Sequence, residues 1–191
     1  MQQFIETTLN TEFGTFIFRV YQDSPGKETI ALYSEKLDPT QAPLVRVHSE
    51  CITGDTFGSR RCDCGPQLNK ALEDISKDGN GILIYLRQEG RGIGLFEKVK
   101  AYQLQDQGYD TYEANVMLGH LPDARTYETA KAVLDDFKVE RIRLLTNNPS
   151  KISEIEQAGI EVAERIPLLI SANPHNTHYL LSKKTKFNHL F

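Results

Sequence analysis

RIRLLTNNPSKISEIEQAGIEVAERI, residues 141–166, reads as strand, turn, helix and strand. Arg141 to Thr146 is a short apolar run, and Asn147-Asn148-Pro149 marks a turn. Ser150 to Ala158 reads as a helix that stops at Gly159, after which Ile160 to Ile166 is extended again. Such β-α-β alternation favours two parallel strands. Lys151 stands in the first turn of this helix, where the dipole disfavours a cation unless an anion is near; a solvated lysine is the plain alternative.

Working outward, Thr126 to Phe137 is a second helix, with Tyr127, Ala130, Leu134 and Phe137 as its apolar face. Asp123 and Arg125 sit just ahead of it, and by pattern Asp123 is a helix-start residue whose charge suits the dipole. Tyr109 to Ala124 reads as loop. Leu95 to Asp106 is a helix with Leu95, Val99, Tyr102 and Asp106 along one stripe, so periodicity alone makes Tyr102 a core aromatic. Ile82 to Leu86 is a buried strand running into Gln88–Gly94, where alternate glycines let backbone amides approach a ligand, although the spacing matches no standard nucleotide loop. Pro66 opens a helix that closes at Gly79. Leu44 to His48 is a strand, reached through a connection over residues 36–43. Residues 1–35 read as β structure, with Phe16, Phe18 and Val20 alternating before a Ser24-Pro25-Gly26-Lys27 hairpin turn. The expected fold is α/β (α+β): a single domain with a mixed β-sheet flanked by helices and N-terminal antiparallel strands. Residues 171–191 carry three lysines and little periodicity, and read as a partly mobile C-terminal tail.

All three cysteines fall in one window, Cys51, Cys62 and Cys64, spaced C-x10-C-x-C. An odd count argues against a disulfide framework, and Arg61, Asp63 and Gly65 around them argue against core packing. Soft thiolates favour zinc in a tetrahedron. His48 closes that tetrahedron in a structural Cys3His centre; water in the fourth position makes it catalytic. Spacing leaves both open.

With 191 residues and 39% hydrophobic content the chain can build a core. A net charge of −4 is not that of a nucleic-acid binder, so no nucleic-acid partner is expected. No apolar run is long enough to span a bilayer, so no membrane association is expected, and clustered free thiols point to the reducing cytoplasm.

Motifs in unbroken order between residues 44 and 170 give these features a common source: RVHSEC (46–51), RCDCG (61–65), RQEGRGIGL (87–95), LQDQGYDT (104–111), Asp123 to Arg125 and LLTNNPSKI (144–152). Here the sequence resembles GTP cyclohydrolase II, the enzyme that opens the guanine ring of GTP at the start of riboflavin biosynthesis. The N-terminal strands match only in pattern and the tail hardly at all. The resemblance implies a catalytic domain over residues 1–170, with catalytic zinc on Cys51, Cys62 and Cys64 and water, not His48, in the open position. That water attacks C8 of the purine and then releases formate, with pyrophosphate lost as well. It implies that Arg46, Val47, His48, Ser49, Glu50, Gln67, Glu89, Gly90, Arg91, Thr111, Thr146 and Lys151 line the GTP site, with Mg²⁺ on the triphosphate. Asp123, Arg125 and Tyr102 become catalytic: Arg125 as nucleophile at the α-phosphorus or as charge stabiliser, Asp123 as its proton acceptor, Tyr102 in the second hydrolysis. Glu89 or Glu50 reads guanine. A homodimer is implied, and a stand-alone enzyme, since the length leaves no room for the dihydroxybutanone phosphate synthase domain fused to it in some organisms. Rival readings are a non-enzymatic zinc module and a family member with a truncated reaction.

Overall fold

The computed structural model describes residues 3–24 and 27–190; Pro25 and Gly26 of the expected hairpin turn lie outside the described residues. Seven strands form one sheet: β1 (Gln3–Thr11), β2 (Gly14–Ser24), β3 (Lys27–Tyr33), β4 (Leu44–Ser49), β5 (Gly81–Leu86), β6 (Arg141–Leu145) and β7 (Glu161–Ile166). Their order is β1-β2-β3-β5-β4-β6-β7. The β1-β2, β2-β3 and β3-β5 pairs are antiparallel, and β5-β4, β4-β6 and β6-β7 are parallel. The mixed sheet expected from sequence is therefore present, and the β-α-β reading of residues 141–166 holds. The helices are α1 (Ile52–Asp55), α2 (Cys64–Asp78), α3 (Leu95–Asp106), α4 (Thr111–Met117), α5 (Glu128–Asp136), α6 (Pro149–Gln157) and α7 (Thr177–Lys186).

Strand alternation divides the core in two. Val45 and Val47 of β4 and Ile82, Ile84 and Leu86 of β5 face α5 and α6, packing with Ala130, Leu134, Leu144 and Ile155. Leu44 of β4, Leu83 of β5 and Leu145 of β6 face the other way, onto Ala71, Leu72 and Ile75 of α2. Both faces of the central strands are covered, so these strands read as near-continuous apolar runs. The N-terminal ribbon is tied to this body by Arg19. Its guanidinium pairs with Glu6 and Asp136, each at 2.7 Å, and lies over the Phe4 and Phe137 rings at 4.1 and 4.6 Å.

Four expectations change. Helix α2 begins at Cys64, two residues before the Pro66 signal, so that cysteine opens the helix. Within the stretch expected to be loop, residues 111–117 form α4, started by a capping box in which Asp110 and Glu113 satisfy each other's backbone N–H. Helix α3 has the expected bounds but the opposite inner face: Leu95 is 42% and Val99 46% exposed, while Lys98 and Ala101 are buried. Residues 177–186 form α7, whose inner residues are polar and so left no apolar period to read.

Candidate active site

The carboxyl ends of β4, β5 and β6 lie side by side, and the chain leaves β4 toward α2 on one face and β6 toward α6 on the other. The crevice beyond such a divergence is where open α/β sheets hold ligands. The pocket there spans about 1100 Å³ including its open mouth. It is walled by the loops after these three strands and by α3, α4 and α7.

Cys51 ends the β4 loop, Cys62 lies in the connection, and Cys64 is the first residue of α2. Their sulfurs lie within 4.8 Å of one another, the one such group that can hold a metal ion among the described residues. Cys51 Sγ and Cys62 Sγ are 3.7 Å apart. Tetrahedral zinc with Zn–S bonds of about 2.3 Å needs sulfurs about 3.8 Å apart, so the donor set fits that ion in size and softness. Two glycines permit this approach: a Cβ on Gly65 would stand 2.3 Å from the Gly54 carbonyl oxygen, and one on Gly54 would stand 2.9 Å from Cys62 Sγ. His48 is not in the group. Its Nε2 lies 3.1 Å from both Asp55 carboxylate oxygens, its ring stacks on Tyr85, and burial lowers its pKa. The closed Cys3His alternative therefore lacks its fourth ligand.

Around the sulfurs, Lys98 Nζ donates to Cys51 Sγ at 3.1 Å and to Glu89 Oε1 at 2.7 Å. Burial pulls the Lys98 ammonium down, but Glu89 and Cys51 more than offset this and leave it raised. Glu89 also accepts from the Gly90 N–H and the Ile52 N–H, both at 2.7 Å, so its two oxygens are spent on the site's own frame. Tyr102 is a pocket residue, correcting the core reading: its hydroxyl lies 3.3 Å from Thr53 Oγ1, which is 3.5 Å from Cys51 Sγ.

Three further cations line the same pocket. Arg46 donates to the Leu145 carbonyl at 3.0 Å and to Gln67 Oε1 at 2.7 Å, and burial brings its pKa down to about 10. Lys151 Nζ donates to the Val47 carbonyl at 2.7 Å; burial, reinforced by Arg46 and Arg125, holds it well below the ordinary lysine range. Arg125 is clamped by Asp123, with Nε to Oδ1 at 2.8 Å and Nη2 to Oδ2 at 2.5 Å. Burial pulls Arg125 down and Asp123 up, yet their mutual pairing wins, leaving Arg125 raised and Asp123 lowered. Arg46 Nε and His48 Nδ1 are buried without a hydrogen-bond partner. Three cations crowded together, with the Arg46 Nε–H left without a partner, are the electrostatic signature of an anion site.

Of the residues expected in the site, Arg46, His48, Ser49, Glu50, Gln67, Glu89, Gly90, Arg91, Tyr102, Thr111, Arg125, Thr146, Lys151 and the three cysteines line this one pocket. Val47 does not: its side chain is fully buried in the α5-side core and only its carbonyl reaches the site. Strand alternation with Arg46 and His48 already dictates that opposite orientation. Asp123 meets the pocket through Arg125. Sequence reading missed Lys98, Asp63, Tyr179 and Lys183. Lys98, one helical turn before Tyr102, was legible only had α3 been turned with its polar face inward; α7 gave no signal.

A mixed α/β sheet thus carries a cation-lined cleft and three converged thiols at its strand ends. The chain belongs to the GTP cyclohydrolase II family, whose model matches residues 2–167. It is 49% identical over 192 residues to a GTP cyclohydrolase-2 of Acinetobacter baumannii, covering 99% of this chain and 96% of that one. It is 52% identical over 188 residues to riboflavin biosynthesis protein RibBA of Bacillus subtilis, covering 97% of this chain. The chain spans about half the length of that relative, 47%. Among solved structures, a two-domain 3,4-dihydroxy-2-butanone 4-phosphate synthase from A. baumannii gives a TM-score of 0.43 at 18% identity, covering 90% of this chain and 41% of that one. No helix of the described residues is long and apolar enough to cross a membrane.

Because the added methyl group of Gly65→Ala meets backbone rather than a flexible side chain, the variant is expected to lose about 1–3 kcal/mol of stability. Urea unfolding of the metal-free protein checks this; an unchanged midpoint would show that the α1–α2 contact is loose.

Proposed function

We propose that the chain hydrolyses GTP as a GTP cyclohydrolase II, opening the imidazole ring and releasing formate and pyrophosphate. The product is 2,5-diamino-6-hydroxy-4-(5-phosphoribosylamino)pyrimidine, for riboflavin biosynthesis. The observation that carries this is one pocket lined both by a three-thiolate group and by Arg46, Arg125 and Lys151. A purine triphosphate presents a ring carbon for the one and a polyanion for the other. Cys51, Cys62 and Cys64 would hold zinc, whose Lewis acidity serves hydrolysis at carbon. Mg²⁺ accompanies the triphosphate. Keeping the thiols reduced suits the cytoplasm.

Each chain residue then has a task. Arg46 and Lys151 are desolvated cations, and an entering triphosphate relieves the repulsion between them. Thr111, Thr146, Gln67, Ser49 and the Gly90-Arg91 turn complete the wall, with Gly90 and Arg91 held at φ +63° and +60°. Glu89 is saturated with donors from its own frame, which favours Glu50 for the guanine N1–H and N2–H edge. Tyr102, close to the sulfurs through Thr53, would serve the second hydrolysis.

The test incubates zinc-loaded protein with GTP and Mg²⁺ and follows formate, pyrophosphate and pyrimidine product together. Equal formate and pyrophosphate are expected, with formate lost in Cys51→Ser and inosine triphosphate gaining on GTP in Glu50→Gln. Pyrophosphate without formate would mean a truncated reaction. Zinc bound with neither product would return the non-enzymatic reading.

The bidentate Asp123 clamp supports Arg125 as a charge stabiliser. A nucleophilic guanidine must first give up its proton, and the carboxylate beside it is itself held in the ionised form. Arg125→Ala is expected to slow pyrophosphate release about 10²–10³-fold, the loss typical of removing one transition-state donor. Rapid-quench mass spectrometry of the wild type is expected to find no nucleotidyl-enzyme, and an adduct formed at a competent rate would overturn the assignment.

A homodimer is supported by α3 and α4, which touch each other and leave Leu95, Phe96, Val99, Val116 and Met117 exposed. Such apolar exposure is typical of a covered face. Light scattering is expected to give twice the chain mass for the wild type and a monomer for Phe96→Glu; a wild-type monomer would assign the patch elsewhere.

A further inference from the structure

The family model ends at residue 167, yet α7 and the residues after it contribute to the pocket through Tyr179, Lys183 and His189. Lys183 is the point of attachment. Its Nζ donates to Asp63 Oδ1 at 2.6 Å, and the two side chains are 9% and 1% exposed. Asp63 is the middle residue of Cys62-Asp63-Cys64 and the residue before the first turn of α2. Its other oxygen accepts from Gln67 Nε2 at 2.5 Å, and Gln67 in turn accepts from Arg46. A buried chain of charge-assisted hydrogen bonds thus runs from the C-terminal helix through the cysteine turn to β4.

Two further contacts bring the same segment to the other loops of the site. The Arg91 guanidinium lies 4.0 Å from the Phe187 ring centroid, and the Leu190 N–H donates to the Asn147 carbonyl at 2.8 Å. The C-terminal segment therefore touches the loops after β4, β5 and β6, although nothing in its own periodicity announces such a role.

We propose that Lys183 is a positioning residue: by pairing with Asp63 it holds Cys62 and Cys64 at the sulfur spacing a metal ion needs, which makes the C-terminal helix part of the metal site. The proposal rests on the zinc reading above. The physical reason is the cost of a buried, unpaired carboxylate. Without Lys183, Asp63 has no bonded cation in a place already crowded with thiolates, and it must turn toward water. Because the Asp63 side chain is only 1% exposed, it reaches water only if the turn that carries a cysteine on either side of it opens.

The test is a double-mutant cycle on the full chain, comparing wild type, Lys183→Met, Asp63→Asn and Asp63→Asn/Lys183→Met. The readout is the zinc dissociation constant by competition with a chromophoric chelator, which needs no turnover. Lys183→Met is expected to weaken zinc roughly 10- to 100-fold, the usual effect of removing a group that orients a ligand. In the Asp63→Asn background the same substitution is expected to change nothing. Wild-type zinc affinity in Lys183→Met would overturn the proposal. So would an equal loss in both backgrounds, because Lys183 would then act through something other than Asp63. Should Lys183→Met fail to fold, the Asp63→Asn single variant decides, because it breaks the same ion pair: wild-type zinc affinity there would overturn the proposal. A wild type that binds no zinc removes the metal reading and this proposal with it, whereas wild-type binding with an indifferent Lys183 removes this proposal alone.

Discussion

Strand β4 lies inside the sheet, between β5 and β6, with both faces covered, and the alternation of its side chains constrains everything around it. Val45 and Val47 pack against the α5 and α6 layer, so Arg46 and His48 must face the α2 side. That orientation buries a guanidinium and an imidazole, and neither can stay there unpaired. Arg46 takes Gln67 and the Leu145 carbonyl, and His48 takes Asp55. These partners belong to α2, β6 and α1, so satisfying two polar side chains on one strand fixes how three neighbours approach the cleft.

The pocket's charged residues fall into two unlike groups. Around the cysteines, Lys98 and Glu89 form a saturated pair that stitches the β5 loop and α3 to the β4 loop. In the second group, burial and then the nearby Arg46 and Arg125 depress the Lys151 ammonium, and Asp123 is clamped to only one of the three cations. The first arrangement is complete in itself, while the second leaves excess positive charge in a buried place. Such an imbalance is what the proposed triphosphate would relieve.

Helix α3 shows how a polar cleft inverts ordinary pattern reading. Leu95, Val99 and Tyr102 recur at helical spacing, and in a helix resting on a core they would face inward together. Here the neighbour is a cleft lined by thiols and carboxylates, so Lys98 and Ala101 turn in, Tyr102 lies at the pocket wall, and Leu95 and Val99 turn out. The exposed residues are the patch on which the proposed homodimer rests.

The sequence by itself determined the mixed sheet, the parallel strands of residues 141–166 and the gathering of three thiols, because period, turn chemistry and rare-residue clustering are local. Even the outward turn of Val47 was legible, since strand alternation admits no other choice once Arg46 and His48 face the cleft. Only the tertiary structure decided which side of α3 is buried, that Glu89 is already saturated, and that Lys183 meets Asp63 across 120 residues of chain. Such choices depend on what stands opposite a side chain. A one-dimensional pattern records how residues repeat along an element, but it does not record the polarity of the surface against which that element comes to rest.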